Sequence, residues 1–344
     1  MLAAVLEGVR QQILKQVPLP QPGPTDVVMQ VKACGICQTD YKAYTGDRMN
    51  WEPPMICGHE ASGIVAAIGA GVAEFAEGDE VVMSPAVSCG LCEPCRLGRT
   101  HYCADGAVIG GDGFDTVLPG AFAEYVRVPV RAVFRKPKNV SFAAAALTEP
   151  LGGCWKGLIK YVNLRLGEDF VVVGAGGMGM LLILLAKAAG AGKILALDVA
   201  DLPLQRAREC GATHLLNLRE CDGKEAVYDI LPKGPDVVFE AAGPLEAAQL
   251  AYDLCRRGTK LNVFGVTTPG DIHLRPGEYH FLEIETTASF SVSTEAMQRS
   301  LELQEKGLID TEKIITHRFP LEQLDEAYAM MARPDRVKVM IEVA

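Results

Sequence analysis

Four cysteines fall within fifteen residues in the segment SCGLCEPCRLGRTHYC, at Cys89, Cys92, Cys95 and Cys103. In the spacing Cys-x2-Cys-x2-Cys-x7-Cys, the two-residue spacers let a turning backbone aim successive sulfurs at one point, as a tetrahedral zinc ion requires. Four protein ligands leave no open position for water or substrate. The spacing therefore predicts a structural zinc site, with two disulfides, unrelated buried thiols or a redox group as alternatives.

The composition of the whole chain limits these alternatives. Its 344 residues are 49% hydrophobic and 22% charged, enough for a sizeable core and about two domains. The N-terminal segment lacks the pattern of a signal peptide, and charges interrupt every apolar run short of a membrane span. We therefore expect a cytoplasmic protein with no membrane association. In that reducing compartment, an odd and scattered total of 11 cysteines favours metal binding over disulfides.

The net charge argues against a nucleic-acid partner, although zinc knuckles can bind nucleic acids. The chain carries a formal charge of −10 and a pI near 5.2, whereas phosphate contacts require a basic patch. Arg96 and Arg99 add only two positive charges beside the cysteines. We expect a small-molecule partner instead.

A glycine-rich turn follows a short apolar run in the segment FVVVGAGGMGMLLILLAKAAG. Residues 170–173 are predicted to form a strand and residues 178–189 a helix. Between them, Gly174 allows a tight turn, Gly176 lets the backbone approach a pyrophosphate, and Gly179 lets helix and strand pack closely. This strand, turn and helix pattern predicts a dinucleotide-binding site.

Asp198 directly follows the next predicted strand, residues 193–197, about twenty residues after the glycines. A carboxylate there can accept hydrogen bonds from an adenosine ribose. No cation follows it at once, and Asp201 would repel a 2′-phosphate, so the sequence favours NAD over NADP. The alternative role for Asp198 is a helix N-cap, for which Asp201, before Leu202 and Pro203, is the better candidate.

Further strands, predicted at residues 236–243 and 260–266, alternate with helical stretches such as residues 245–255. This alternation predicts an α/β fold with a doubly wound parallel sheet. The first 150 residues differ, because they are rich in Gly, Pro and Val with short strand-like runs. We expect them to form a mostly β, irregular domain.

A second set of metal-ligand residue types lies in the segments ACGICQTD and ICGHEASG, at Cys37, His59 and Glu60. A single Cys or His is more often a core residue than a ligand. Their combination with a dinucleotide fold and a first zinc site raises the odds of a second metal.

Several motifs, in order, resemble the zinc-dependent medium-chain dehydrogenase/reductase family, which includes alcohol, sorbitol and threonine dehydrogenases. They are CGICQTD, CGHEASGIV, the four-cysteine lobe, GAFAEYV, TEPLGG and GAGGMG. The resemblance spans nearly the whole chain. It implies a GroES-like catalytic domain over residues 1–150 with a zinc lobe near 88–104, a Rossmann domain over 151–285, and a return to the catalytic domain over 286–344. It also suggests a homo-oligomer, with a tetramer favoured over a dimer.

The resemblance further implies two zinc ions in each chain, one structural and one catalytic. Cys37 and His59 would bind the catalytic zinc, with Glu149 standing where alcohol dehydrogenases carry a second cysteine. Glu60 would either bind this metal or lie behind the ligands. The alternative role for Glu149 is a carboxylate at a helix N-terminus, favourable to the dipole.

The implied reaction is reversible hydride transfer from a secondary alcohol to NAD+, giving a ketone. Thr39 is the candidate for relaying the alcohol proton, or else stabilises a turn. Asp40 is expected to orient a ligand, and Lys42 stands where many relatives have a relay histidine. The predicted cofactor contacts are Gly174, Gly176, Gly177, Met178, Gly179, Asp198, Val266 and Phe290.

The substrate is expected to be a polyol, a sugar or a hydroxy-amino acid. Candidate pocket residues are Thr39, Tyr44, Trp51, Pro85 and Phe290. An Arg-Tyr pair of sorbitol dehydrogenases is absent near Phe290, so sorbitol itself is not predicted. The alternatives are a dehydrogenase of simple alcohols and aldehydes, a metal-free quinone or enoyl reductase, and a non-catalytic zinc- and dinucleotide-binding protein.

Overall fold

The computed structural model describes residues 1–47, 53–111, 113–266 and 269–344. They divide into two compact units. Unit 1 consists of Met1–Gly152, Ser291–Arg333 and Lys338–Ala344, and unit 2 of Gly153–Phe290 and Pro334–Val337. No helix among the described residues is both long and apolar enough to cross a bilayer.

The strands run through both units. They are β1 (Leu2–Gly8), β2 (Gln11–Gln16), β3 (Asp26–Gly35), β4 (Glu60–Ile68), β5 (Glu80–Met83), β6 (Ala86–Val87), β7 (Ala107–Ile109), β8 (Thr116–Leu118), β9 (Tyr125–Pro129), β10 (Val133–Arg135), β11 (Phe170–Val173), β12 (Ile194–Asp198), β13 (His214–Asn217), β14 (Val237–Glu240), β15 (Lys260–Val263), β16 (Glu285–Ala288), β17 (Ile315–Pro320) and β18 (Lys338–Glu342).

The α-helices are α1 (Gln38–Thr45), α2 (Glu93–Arg96), α3 (Phe142–Ala146), α4 (Thr148–Trp155), α5 (Gly177–Ala188), α6 (Asp201–Cys210), α7 (Gly223–Ile230), α8 (Leu245–Asp253), α9 (Pro276–Leu282), α10 (Thr294–Glu305) and α11 (Leu324–Met331). A π-helical turn, Lys156–Tyr161, follows α4. Short 3-10 helices occupy Thr100–Tyr102, Val130–Ala132, Thr311–Ile314 and Leu321–Gln323.

Unit 1 is built on a mixed sheet in the order β10-β5-β4-β3-β18-β17, with β9 also pairing with β3. β3 is central, since it pairs antiparallel with β4, β9 and β18. Met29 and Val31 of β3 belong to a buried apolar cluster that also contains Tyr328 of α11 and Ile341 of β18. Strand β18, near the C-terminal end of the sequence, is thus an inner strand of this sheet, between β17 and the N-terminal strand β3.

Unit 2 contains a parallel sheet in the order β13-β12-β11-β14-β15-β16. All four residues of β11 are buried, as expected for a parallel strand that is covered on both faces. Helix α5 is buried continuously from Gly179 to Ala186, which fits its nearly all-apolar sequence. Because the strands are parallel, their carboxyl ends all lie at one edge of the sheet, which is the edge where doubly wound sheets bind their ligands.

The fold class is confirmed, and the helix and strand predictions of unit 2 fall within a few residues of the observed elements. The predicted domain boundaries, 150/151 and 285/286, differ from the observed division at Gly152/Gly153 and Phe290/Ser291. The second differs because β16 is still hydrogen-bonded to β15. Its sequence, ETTA, is polar, and an edge strand of this kind lacks the apolar run that marks inner strands.

Candidate active site and metal centres

The four cysteines of the lobe point their sulfurs at one another. Cys92 Sγ lies 3.4 Å from Cys95 Sγ and 3.8 Å from Cys103 Sγ, and Cys89 Sγ lies 4.0 Å from Cys95 Sγ. Sulfurs about 2.3 Å from a shared tetrahedral zinc are about 3.8 Å apart, so this set fits the ion. A disulfide needs about 2.05 Å. All 11 cysteines lie in the described part of the chain, and none forms a disulfide.

Backbone N–H groups stabilise the thiolate form of part of this cluster. The N–H groups of Cys92 and Leu91 each donate to Cys89 Sγ at 3.4 Å, and they lower the pKa of Cys89 to about 6. Burial raises the pKa of Cys95 to about 12 and raises that of Cys103 as well. A cation shared by all four sulfurs would be needed to hold these two as thiolates at neutral pH.

A second cluster contains Cys37, His59 and Glu60, whose ligand atoms all lie within 4.8 Å of one another. Strand pairing explains their proximity, because Gly35 at the end of β3 lies opposite Glu60 at the start of β4. Cys37 follows β3 as the N-cap of α1, and His59 immediately precedes β4. Thiol, imidazole and carboxylate form a ligand set that suits zinc.

Asp40 holds this cluster together from the first turn of α1. Its Oδ2 accepts a hydrogen bond from Cys37 N at 2.9 Å, and its Oδ1 accepts one from Gly58 N at 3.1 Å. His59 Nδ1 lies 3.3 Å from Asp40 Oδ1, which leaves Nε2 as the nitrogen for a metal. Burial lowers the pKa of His59, but Asp40 and Cys37 outweigh it and raise the pKa well above its ordinary value.

Lys338 is a member of the site that the sequence analysis did not identify. Its Nζ donates to one Glu60 oxygen at 2.7 Å, lies 2.6 Å from the other, and also donates to Ile36 O at 2.9 Å. Burial lowers the pKa of Lys338, but Glu60 outweighs it and raises the pKa. The only available sequence signal was a lysine inside the apolar strand VKVMIE.

Gly35 makes room for this ion pair. A Cβ at Gly35 would lie 2.2 Å from a Glu60 carboxylate oxygen and 3.0 Å from Lys338 Cε. Any larger residue would therefore displace the Glu60 side chain.

Glu149 is not a member of the group of ligand atoms that contains Cys37, His59 and Glu60. It is a half-buried acidic residue in the first turn of α4. This position agrees with the alternative role of a carboxylate near a helix N-terminus, and it leaves the ligand role of Glu149 as a proposal.

The proposed proton relay lies along α1. Thr39 is half-buried in its first turn, two residues after Cys37, and Lys42 is half-buried one turn further on. The structure therefore puts both residues on the helix that the metal-ligand candidate Cys37 caps.

The predicted pocket residues have different surroundings. The ring of Tyr44 stacks on Tyr328 with centroids 4.4 Å apart, and Pro85 is buried. Phe290 is 51% exposed. Trp51 lies outside the described residues.

The glycine turn has the geometry that its sequence predicts. Gly174 has φ 105°, in the left-handed region that favours glycine. Gly176 caps α5 with open space around it, and a Cβ at Gly179 would lie 2.0 Å from Gly174 O. Gly177 and Met178 begin α5, so their N–H groups lie at the helix N-terminus, where a pyrophosphate is favoured.

Asp198 ties the end of β12 to this turn. Its Oδ2 accepts from Ala175 N at 2.7 Å, and its Oδ1 accepts from Val199 N at 2.7 Å and Ala200 N at 3.0 Å. The prediction that Asp201 caps α6 is wrong, because Ala200 is the N-cap and Asp201 is the first helical residue. Asp201 instead accepts a hydrogen bond from the Asn217 side chain at 2.8 Å. Val266, 53% exposed, lies beyond β15.

Comparison with known proteins adds independent evidence. Residues 23–138 match the alcohol dehydrogenase GroES-like domain family, and residues 177–306 match the zinc-binding dehydrogenase family. Sorbitol dehydrogenase of Bacillus subtilis strain 168 is 34% identical over 99% of this chain and 97% of its own length. L-threonine 3-dehydrogenase of the same strain is 30% identical over 97% of this chain and 96% of its own.

A solved structure has the same fold over nearly the full chain. A zinc-binding dehydrogenase from Sinorhizobium meliloti 1021, bound to NADP, superposes with a TM-score of 0.92 at 30% identity, covering 99% of this chain and 98% of that one. These matches confirm the prediction of an oxidoreductase that uses zinc and a nicotinamide dinucleotide. By its two matched domains and its full-length relatives, the chain belongs to the zinc-dependent medium-chain dehydrogenase/reductase family.

Proposed function

We propose that the chain catalyses reversible hydride transfer from a secondary alcohol of the polyol, sugar or hydroxy-amino acid class to NAD+, giving a ketone. The observation that carries the proposal is the grouping of Cys37, His59 and Glu60, with their ligand atoms within 4.8 Å of one another. The names of two full-length relatives, a sorbitol dehydrogenase and a threonine 3-dehydrogenase, support this substrate class.

The proposed ligands of the catalytic zinc are Cys37, His59 and a carboxylate from Glu149, the position that the family resemblance indicates. Glu60 lies in the same group as Cys37 and His59, but Lys338 already neutralises its carboxylate. A zinc ion held by these residues would act as a Lewis acid, lowering the pKa of a bound alcohol and favouring hydride loss from its carbinol carbon. Asp40 lies 3.3 Å from His59 Nδ1, which leaves Nε2 as the proposed zinc ligand. Zinc analysis of the variants Glu149→Gln and Glu60→Gln tests which of the two carboxylates binds the catalytic zinc. Loss of one zinc from Glu60→Gln alone would reverse the assignment.

Thr39 is the proposed acceptor of the alcohol proton. Its hydroxyl can take that proton while passing its own toward solvent, so the hydroxyl is unchanged at the end of the transfer. Thr39→Val, which removes the hydroxyl at nearly constant shape, should lower kcat by about 100-fold. Thr39→Ser should retain most of the activity, and equal losses in both variants would contradict the relay.

NAD is the proposed cofactor rather than NADP. The Asp198 carboxylate at the end of β12 is suited to a ribose with free hydroxyls, and a 2′-phosphate there would be repelled. This choice is independent of the zinc assignment.

The decisive experiment follows NADH formation at 340 nm with a panel of polyols, sugars, hydroxy-amino acids and simple alcohols. Chelator-treated enzyme and NADP+ serve as controls. Zinc-dependent reduction of NAD+ with a polyhydroxylated or hydroxy-amino substrate is expected. Turnover of simple primary or secondary alcohols alone would favour the alternative function. No turnover with any alcohol, despite two bound zinc ions and NADH binding, would refute the substrate class.

We further propose a cytoplasmic homotetramer. The 11 cysteines, odd in number and scattered along the chain, suit a reducing compartment. Light scattering of the purified protein tests the tetramer against a dimer.

A further inference from the structure

Lys156 is a fully buried lysine in unit 2, only 1% exposed. It opens the π-helical turn Lys156–Tyr161 that follows α4. Burying a lysine is costly unless its nitrogen is satisfied, and π-helical turns are frequent at functional sites. Neither the proposed zinc ligands nor the proposed cofactor contacts account for a buried lysine at this position.

The side chain of Lys156 reaches the segment that leaves β16. Its Nζ donates a hydrogen bond to the backbone carbonyl of Phe290, and it lies 5.7 Å from the centroid of the Tyr161 ring. The neighbouring Gly157 allows this close approach, since a Cβ there would lie 2.8 Å from Ser289 Oγ. The π-helical turn thus packs directly against Ser289 and Phe290.

Two further hydrogen bonds hold the same segment. Ser289 N donates to Val263 O at 3.3 Å, and the Nδ2 of Asn262, which is fully buried, donates to Ser289 Oγ at 3.3 Å. The Phe290 side chain remains 51% exposed, so its backbone is fixed while its ring is accessible. The next residue, Ser291, has φ 58°, a conformation that is uncommon outside glycine and concentrated at functional sites.

This segment lies where the nicotinamide half of a dinucleotide belongs. The pyrophosphate is favoured at the N-terminus of α5 beside β11, and the proposed ribose contact, Asp198, ends β12 on one side of that strand. The other half of the cofactor must then extend over the carboxyl ends of β14, β15 and β16. Ser289 and Phe290 follow β16 at that edge.

We propose that Lys156 is a positioning residue, which fixes the Phe290 carbonyl and thereby holds the Ser289–Phe290 segment in place to contact the nicotinamide half of the cofactor. This inference rests on the proposed function, because it takes the cofactor to be bound at the glycine turn of α5.

The test compares two ligands by calorimetry: NADH, and ADP-ribose, which lacks the nicotinamide. In Lys156→Met, the dissociation constant for NADH should rise about tenfold, as expected for a lost hydrogen bond, while that for ADP-ribose stays within about twofold. Lys160→Met, at an exposed lysine of the same turn, is the matched control and should bind both ligands as the wild type does.

A second variant displaces the same segment and leaves Lys156 in place. Gly157→Ala pushes against Ser289 Oγ and should give the same selective loss of NADH, so the inference stays testable if Lys156→Met does not fold. Equal weakening of both ligands would show a general structural role and overturn the proposal, as would unchanged binding of both. If the wild type bound neither ligand, the proposed cofactor site would be refuted, and the proposed role of Lys156 would be refuted as well.

Discussion

Lys338 on β18 forms a buried ion pair with Glu60 on β4, with its Nζ 2.7 Å from one carboxylate oxygen and 2.6 Å from the other. The two residues are 278 positions apart in the sequence. The pair ties the last strand of the sheet to a residue beside the proposed catalytic zinc.

Removing Lys338 alone should therefore destabilise unit 1. Lys338→Met leaves the Glu60 carboxylate buried without its cation, which typically costs about 3–5 kcal/mol. Urea unfolding of this variant should show a loss of that size, and Lys338→Met combined with Glu60→Gln should recover part of it. Lys313→Met, at an exposed lysine of the same unit, provides the control. A double variant as unstable as Lys338→Met would contradict the pairing.

The two cysteine groups should respond differently to substitution. Cys95→Ser removes one of four sulfurs from the lobe, so metal analysis should find about one zinc per chain, with a lower Tm. Cys37→Ser should abolish turnover while the fold, judged by circular dichroism, is retained. Similar loss of folding in both variants would argue against a division between structural and catalytic sites.

Zinc binding to the lobe should depend on pH in a defined direction. The lowered pKa of Cys89, about 6, leaves its thiol largely ionised at pH 7, whereas the raised pKa values of Cys95 and Cys103 keep those thiols protonated. Binding zinc at pH 7 should then release at least the two protons of Cys95 and Cys103, and the affinity should rise from pH 6 to pH 8. Calorimetry in buffers of different ionisation enthalpy measures this release. No proton release would mean that the thiols are already ionised.

Substitution of Asp198 should alter cofactor preference. Asp198→Asn removes the charge that repels a 2′-phosphate and weakens acceptance from Ala175 N. The ratio of kcat/KM for NAD+ over NADP+ should fall about tenfold. Asp229→Asn, at an exposed aspartate in the last turn of α7, is the control and should leave the ratio nearly unchanged. Parallel loss with both cofactors would instead indicate that Asp198 only supports the turn.

Local sequence patterns predict a site well when its residues are close together in the sequence. The four cysteines of the lobe and the glycines of the α5 turn act through short spacings, which a sequence displays directly. Cys37 and His59 are further apart, but each sits in a motif of its own. The register of β3 and β4 then brings the two residues together.

The contributions of Lys338 and Lys156 could not be predicted, because each acts on a residue more than 130 positions away. Nothing near either lysine in the sequence indicates its partner. The β16 strand was missed for a different reason: Glu285, Thr286 and Thr287 are polar, and only pairing with β15 makes them a strand. Tertiary contacts, rather than local composition, therefore determine that the residues of β16 form a strand.

The position of β18 also has a consequence for synthesis on the ribosome. The hydrogen bond from Lys338 Nζ to Ile36 O joins residues 302 positions apart, so β3 is translated long before its partner strand exists. Unit 2 is almost entirely one continuous stretch, Gly153–Phe290, and can fold while translation proceeds. The nascent chain must therefore carry an unfinished β3 edge, open to mispairing and to chaperones, until the C-terminal residues emerge.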